Sequence, residues 1–355
     1  DVAKSNAFFL KNGIGATTDS ENILGNFGNV RGFLVSGADV GDEVPRGEIA
    51  IEKGASVDAT KDGFLIVAAP VVRQAGRLTA DDGQIVLAAA PGLVQGVDSA
   101  NGAISVQPMA ANVFVDPRSA VSNTGLIQAR RGRIQWIGDE MQQDGVLVSS
   151  TSLSHPGRVT FDFARDVSKR LVFGAGSVTA ILPEKDGEST TSSSAADDAF
   201  VTSRVDIGIN AVMRNGALME VPAGNVTFAR DAYIDTGATV DVSGLANVTL
   251  PMSALLVTIP RIGLNELANS PLLRNSILYT AKDVAVDSSR NGTRPDGLDW
   301  VGSPVLNVAG YVSNVPRDIR QLMIDSGSIA FRQNAIIRTG AQLRLEGGFI
   351  NYLPG

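Results

Sequence analysis

Two stretches of this chain superimpose without a gap. Gly224–Gly244 reads GNVTFARDAYIDTGATVDVSG and Gly327–Gly347 reads GSIAFRQNAIIRTGAQLRLEG. Eight of twenty-one positions are identical: Gly224/Gly327, Phe228/Phe331, Ala232/Ala335, Ile234/Ile337, Thr236/Thr339, Gly237/Gly340, Ala238/Ala341 and Gly244/Gly347. A shorter echo, Gly54-Ala55-Ser56-Val57-Asp58, matches Gly237-Ala238-Thr239-Val240-Asp241. A unit of about 20 residues made of strand-like pieces and glycine turns cannot enclose a core alone, but stacked copies can, and that predicts a solenoid.

Composition suits such a stack. Hydrophobic residues make up 44% of the 355, while aromatics are only 5%. A narrow interior lined by aliphatic ladders follows. The 38 glycines exceed the usual share of about 7% and carry no collagen period, so turns needing positive φ are their expected places. A net charge of −7 speaks against nucleic acid or an anionic membrane as an electrostatic partner. No apolar run approaches the roughly 18–20 residues of a spanning helix; the longest, Met252–Ile259, stops at Pro260. The absence of cysteine excludes thiolate catalysis, cysteine-ligated zinc and iron–sulfur clusters. With no initiator Met and no charged-then-apolar leader, residue 1 is read as an internal point of a longer or processed chain.

Short alternating runs recur along the chain. Glu48–Glu52 alternates polar and apolar residues before a Lys53-Gly54 turn. Gly63–Ala69 and Gln84–Ala89 are more apolar and read as strands either buried on both faces or closely packed. Further strands are predicted at Arg133–Ile137, Val146–Ser149, Arg158–Phe163, Leu171–Phe173 and Arg204–Ile209. The pairs Leu78…Ile85 and Ile127…Ile134 share a spacing of seven, an independent echo of the repeat. Helical periodicity is confined to Ile262–Ala268 and Arg317–Ile324. The expected fold is all-β, a right-handed parallel β-helix whose strands are joined by turns rather than crossover helices.

Rungs are expected over 1–183, 200–244 and 305–355. A Ser/Thr/acid-rich flexible loop separates them at 184–199, and a proline-rich excursion packs on the rod at 245–304. Rungs of about 22 residues at about 4.8 Å each would give 12–13 rungs and a rod on the order of 60 Å.

The segment Gly263–Arg274, followed by Gly302-Ser303-Pro304, Gly310-Tyr311-Val312 and Val315-Pro316-Arg317, resembles the large filamentous-haemagglutinin-like exoproteins of Gram-negative bacteria. Gly327–Tyr352, ending Gly347-Gly348-Phe349-Ile350-Asn351-Tyr352, looks like the rung that follows in that family. The likeness covers residues 257–355 and extends more loosely to Gly83–Ala89 and Asn12-Gly13-Ile14. It implies a two-partner-secreted adhesin, exported through an outer-membrane secretion pore to the bacterial surface. Leu10-Lys11-Asn12-Gly13 stands where family secretion domains carry Asn-Pro-Asn-Gly.

Candidate site residues are few. His155, the only histidine, precedes Pro156-Gly157 and reads as an exposed turn residue. It can build neither a histidine metal site nor a Ser/His/Asp triad alone. Asp81-Asp82, Asp139-Glu140 and Asp197-Asp198 are sequence neighbours, whereas a glycosidase needs carboxylates about 5–10 Å apart across a cleft. No catalytic, cofactor or metal residue is assigned. Asp58, Asp235 and Asp241 would offer calcium a site only as a stacked carboxylate ladder. Trp300, Tyr279 and Tyr311 form a possible recognition surface; the alternative for Trp300 is to anchor the excursion to the rod. Arg46-Gly47-Glu48 carries no weight, because Glu48 opens a strand.

The expected function is a non-enzymatic adhesive or structural rod that engages a glycan or protein receptor and associates end to end through exposed strand edges. The alternatives are a polysaccharide lyase or hydrolase on the same fold, and the stalk of a contact-dependent toxin delivery protein.

Overall fold

A computed structural model of the chain describes residues 31–34, 48–89, 92–97, 104–108, 119–164, 166–185, 189, 200–261, 271–272, 274–304, 306–312 and 315–354. They fall into two compact units. The first is drawn from Asp1–Glu184, Val201–Gly244 and Asp325–Gly347, and the second from Lys185–Phe200, Leu245–Ile324 and Gly348–Gly355.

The first unit is a parallel β-helix. Three long sheets of eight, eight and seven parallel strands run along it, and successive strands of the chain visit them in turn. Rung 1 comprises Glu48–Ile51, Ser56–Ala59 and Phe64–Ala68; rung 2, Val71–Gln74, Arg77–Asp81 and Gln84–Ala88. Rung 3 is Ala120–Asn123, Leu126–Arg130 and Arg133–Ile137, and rung 4 is Glu140–Gln143, Val146–Thr151 and Arg158–Asp162. Rung 5 is Arg170–Phe173, Val178–Pro183 and Arg204–Ile207; rung 6, Asn210–Met213, Leu218–Glu220 and Asn225–Phe228. Rung 7 takes Ala232–Ile234, Thr239–Asp241 and Ser328–Phe331, and rung 8 only Ala335–Ile337 and Gln342–Arg344.

The repeats seen in sequence are neighbours in space. Asn225–Phe228 pairs with Ser328–Phe331, Ala232–Ile234 with Ala335–Ile337, and Thr239–Asp241 with Gln342–Arg344, all at one constant offset. Leu78 pairs with Ile127 and Ile85 with Ile134. Every other residue of a strand points inward, so the core is a set of vertical columns. One runs Leu78, Ile127, Leu147, Thr179, Met219, Val240. Another contains Leu87, Trp136, Phe161, Ile207, Phe228 and Phe331. Aromatic stacking reinforces the latter: Trp136 meets Phe161 edge-on at 5.5 Å, and Phe228 lies parallel to Phe331 at 4.9 Å. These side chains are essentially inaccessible to water, except Phe331 at the end of the second column.

Many glycines serve close approach rather than positive φ. A Cβ on Gly125 would lie 2.2 Å from the Gly76 carbonyl oxygen, and one on Gly132 the same distance from that of Gly83. The rung below passes so closely there that only hydrogen fits.

Twelve to thirteen rungs were expected; the described residues form seven full rungs and a partial eighth. Excursions consume the difference. Gly92–Val97 and Ile104–Pro108, expected to be rungs, form an antiparallel sheet with Arg31–Leu34 between rungs 2 and 3. The excursion that begins at Leu245 runs to Ile324, not Pro304, because Leu306, Val308, Val312 and Val315 supply part of its core. Seven steps of about 4.8 Å make the stack about 34 Å from first rung to last.

The second unit has its own small core of Val257, Ile259 and Val308, flanked by Val286, Val301, Leu306, Val312 and Val315. Its antiparallel pairs are Leu256–Arg261 with Lys282–Asp287 and Asn291–Thr293 with Asp299–Val301. The helix expected over Arg317–Ile324 is a single turn, Ile319–Leu322, held by a capping box between Asp318 and Gln321. The helix expected at Ile262–Ala268, the loop at 184–199 beyond Lys185 and the Asn12-Gly13 stretch lie outside the described residues, Ser189 excepted.

Candidate recognition surfaces

The corner between the first and second sheets takes two forms, set by one residue per rung. In rungs 2, 3 and 4 the last inward position is Gln74, Asn123 and Gln143, all buried. Asn123 Nδ2 donates to Gln143 Oε1 at 2.8 Å, and Gly125 N–H donates back to Asn123 Oδ1 at 3.0 Å. Gln143 Nε2 donates to the carbonyls of Gly145 and Val178, both at 3.1 Å. Below and above, the same column holds Ile51, Phe173, Met213, Ile234 and Ile337. Where the residue is an amide, the next sheet begins three positions later (Gln74 to Arg77); where it is apolar, five (Ile51 to Ser56). A buried amide caps the backbone groups of a tight corner, whereas an apolar side chain cannot, and a longer turn through a positive-φ glycine replaces it. Gly54, Gly176, Gly216, Gly237 and Gly340 occupy those longer turns.

At the next corner five rungs are tied by charge. Arg131 grips Asp82 with two parallel hydrogen bonds, 2.5 and 2.9 Å, and reaches Glu184 at 2.9 Å. Arg130 also donates to Glu184, and Ser150 Oγ donates to its other oxygen at 2.6 Å. Lys61 lies 3.6 Å from Asp82. The Arg131 hydrogen bond holds the Asp82 carboxyl below the usual carboxylate range. Burial works to raise Glu184, but the hydrogen bonds from Arg130 and Ser150 outweigh it and leave it lowered. Asp82 is therefore a turn residue, at φ 53°, with a structural ion pair.

The outer face of the first sheet carries a groove of ≈ 510 Å³ across rungs 3 to 5. Glu140, Lys169 and Arg170 bring charge to it, and Ser122, Gln142 and Ser168 bring hydrogen-bonding groups. Glu140 and Arg170 are register partners, and Lys169 Nζ is 3.9 Å from Glu140.

The aromatic candidates sit on separate elements of the second unit. Trp300 belongs to Asp299–Val301 and pairs with Gly292, over which its ring lies; a Cβ there would come within 2.8 Å of it. Tyr279 is half-buried in the turn Ile277–Thr280, and Tyr311 is exposed in Ala309–Val312. Trp300 thus packs on its own hairpin. His155 is exposed between rung 4's second and third strands, Nδ1 2.8 Å from Ser154 Oγ. Asp58 and Asp241 do share a column, but six rungs apart, and Asp235 lies in a turn, so the three make no ladder. Asp139 is buried and accepts from the backbone N–H groups of Ala164 and Asp166, while Asp197-Asp198 lies outside the described residues. Among the described residues no group of three metal-ligating side chains gathers, and no helix is long and apolar enough to cross a membrane.

No family model, curated protein or solved structure matches the chain.

The amide corner and the Asp82–Arg131–Glu184 cluster escaped the sequence reading. One signal was available for the first: Gln74-Ala75-Gly76, Asn123-Thr124-Gly125 and Gln143-Asp144-Gly145 share an amide two residues before a glycine.

Proposed function

We propose that this chain is a secreted surface rod of the filamentous-haemagglutinin-like, two-partner-secretion kind, a spacer that presents an inserted unit to a glycan or protein receptor. One observation supports the reading most. Residues 245–324 are inserted between the second and third strands of rung 7, yet Ser328–Phe331 pairs with Asn225–Phe228 without a slip in register. A scaffold that carries a separately cored unit at no loss of pairing is suited to display. Exposed Tyr311 and half-buried Trp300 and Tyr279 give that unit aromatic faces of the kind that stack on sugar rings.

The test compares the full chain with a variant that joins Gly244 to Asp325 and ends at Gly347. Both are applied to immobilised glycans and intact cells. The full chain is expected to bind and the stripped variant to fold but not bind; equal binding by both would overturn display by the second unit.

The groove of rungs 3 to 5 favours a second reading, a polysaccharide-cleaving enzyme, because Glu140 faces Lys169 and Arg170 from the neighbouring rung. Turnover of a polysaccharide panel, lost in Glu140→Gln, would decide for it.

A further inference from the structure

The two ends of the β-helix match each other. At rung 8 the edge strands Ala335–Ile337 and Gln342–Arg344 carry no further strand among the described residues, and Ile336 and Ile337 are 57% and 46% exposed. At rung 1 the opposite edge likewise carries no further strand among the described residues, and Ile49 and Val57 are exposed there. Open parallel edges of this kind pair with any strand of the same register.

We infer that a second copy of this chain occupies that edge, rung 1 of one copy stacking head to tail on rung 8 of the next. Three features argue for it, and none depends on the display reading. The corners agree: Ile51 to Ser56 and Ile337 to Gln342 have the same length, each through a glycine at positive φ, Gly54 at 91° and Gly340 at 87°. The columns agree as well, since Ile51 shares one with Ile337 and Val57 one with Leu343.

Charge agrees most specifically. Rung 7 carries Asp235 and Asp241; rung 8 carries Arg338 and Arg344 at the same two positions, with Arg344 3.7 Å from Asp241. Rung 1 places Glu52 and Asp58 there again. In the joint each arginine of rung 8 lies between an acid of its own rung 7 and an acid of the incoming rung 1. This is why Gly54–Asp58 echoes Gly237–Asp241: both stretches are built to meet Gly340–Arg344. The joint covers the first two sheets and leaves one strand position open on the third, because rung 8 has only two strands.

Sedimentation velocity of the full chain over a range of concentrations tests this. Head-to-tail oligomers that grow with concentration and shrink with salt are expected. The paired substitutions Glu52→Arg with Asp58→Arg, and separately Arg338→Glu with Arg344→Glu, each set like charges across the joint and should weaken association about tenfold or more. A mixture of the two variants restores complementary charge at every joint and should associate again. Circular dichroism checks that both remain folded. A wild-type chain that stays monomeric at high concentration, or folded variants whose mixture does not associate, would overturn the joint.

Discussion

Ser328 and Asn225 are 103 residues apart in the chain and hydrogen-bond across adjacent rungs, Ser328 Oγ donating to Asn225 Oδ1 at 2.7 Å. The backbone closes the same gap: Gly327 N–H donates to the Val242 carbonyl at 2.8 Å. The inserted unit is therefore left and rejoined within one rung's reach. The variant that joins Gly244 to Asp325 and ends at Gly347 should keep the β-sheet circular dichroism of the stack and melt within a few degrees of the full chain. Collapse of that signal would show that the rungs depend on the insertion.

The amide corner makes a prediction that residue size alone would not. Asn123→Ala leaves Gln143 Oε1 and the Gly125 N–H without partners and should destabilise the stack by about 2–3 kcal/mol in urea unfolding. Asn123→Ile should not rescue it, although isoleucine is native at 51, 234 and 337 in the same column, because the corner after 123 is two residues too short for the apolar form.

Close approach and free space separate two glycines. Gly125→Ala drives a methyl into the backbone of the rung below and should destabilise by about 2–3 kcal/mol. Gly347→Ala meets nothing within 4 Å and needs no positive φ, so a change within about 0.5 kcal/mol is expected, even though Gly347 is one of the eight repeat identities.

Two carboxylates should respond to pH in opposite senses. Burial raises Asp162, with the nearby Asp206 charge adding to it and the Gln135 hydrogen bond opposing. A raised folded value means its favourable contribution exists in acid and is lost as pH rises through that value. Asp162→Asn should therefore melt higher than wild type at neutral pH and lose that advantage below the ordinary aspartate range. Asp82 is lowered by Arg131, so its contribution is present at neutral pH and lost as pH falls through the folded value. Asp82→Asn should melt lower at neutral pH, with the gap closing in strong acid. Thermal melts from neutral pH to about pH 2 cover both ranges.

Local patterns in the sequence carried the fold class and even the register. The gapless match of Gly224–Gly244 to Gly327–Gly347 is the pairing of adjacent rungs, and Val57 and Val240 do share a column. Alternation and glycine spacing are properties of short segments, so they can be read without knowing what lies alongside. Only the tertiary structure decided the number of rungs and the end of the excursion, because strands that leave the stack, such as Gly92–Val97, carry the same local pattern as those within it. It also decided what meets across rungs. Asp82, Arg131 and Glu184 are distant in the chain, and their cluster exists because three turns of the helix bring them to one corner. The same holds for Asn123 and Gln143, whose amides read as ordinary polar residues until stacking buries them and leaves them only each other and the corner backbone for hydrogen bonds.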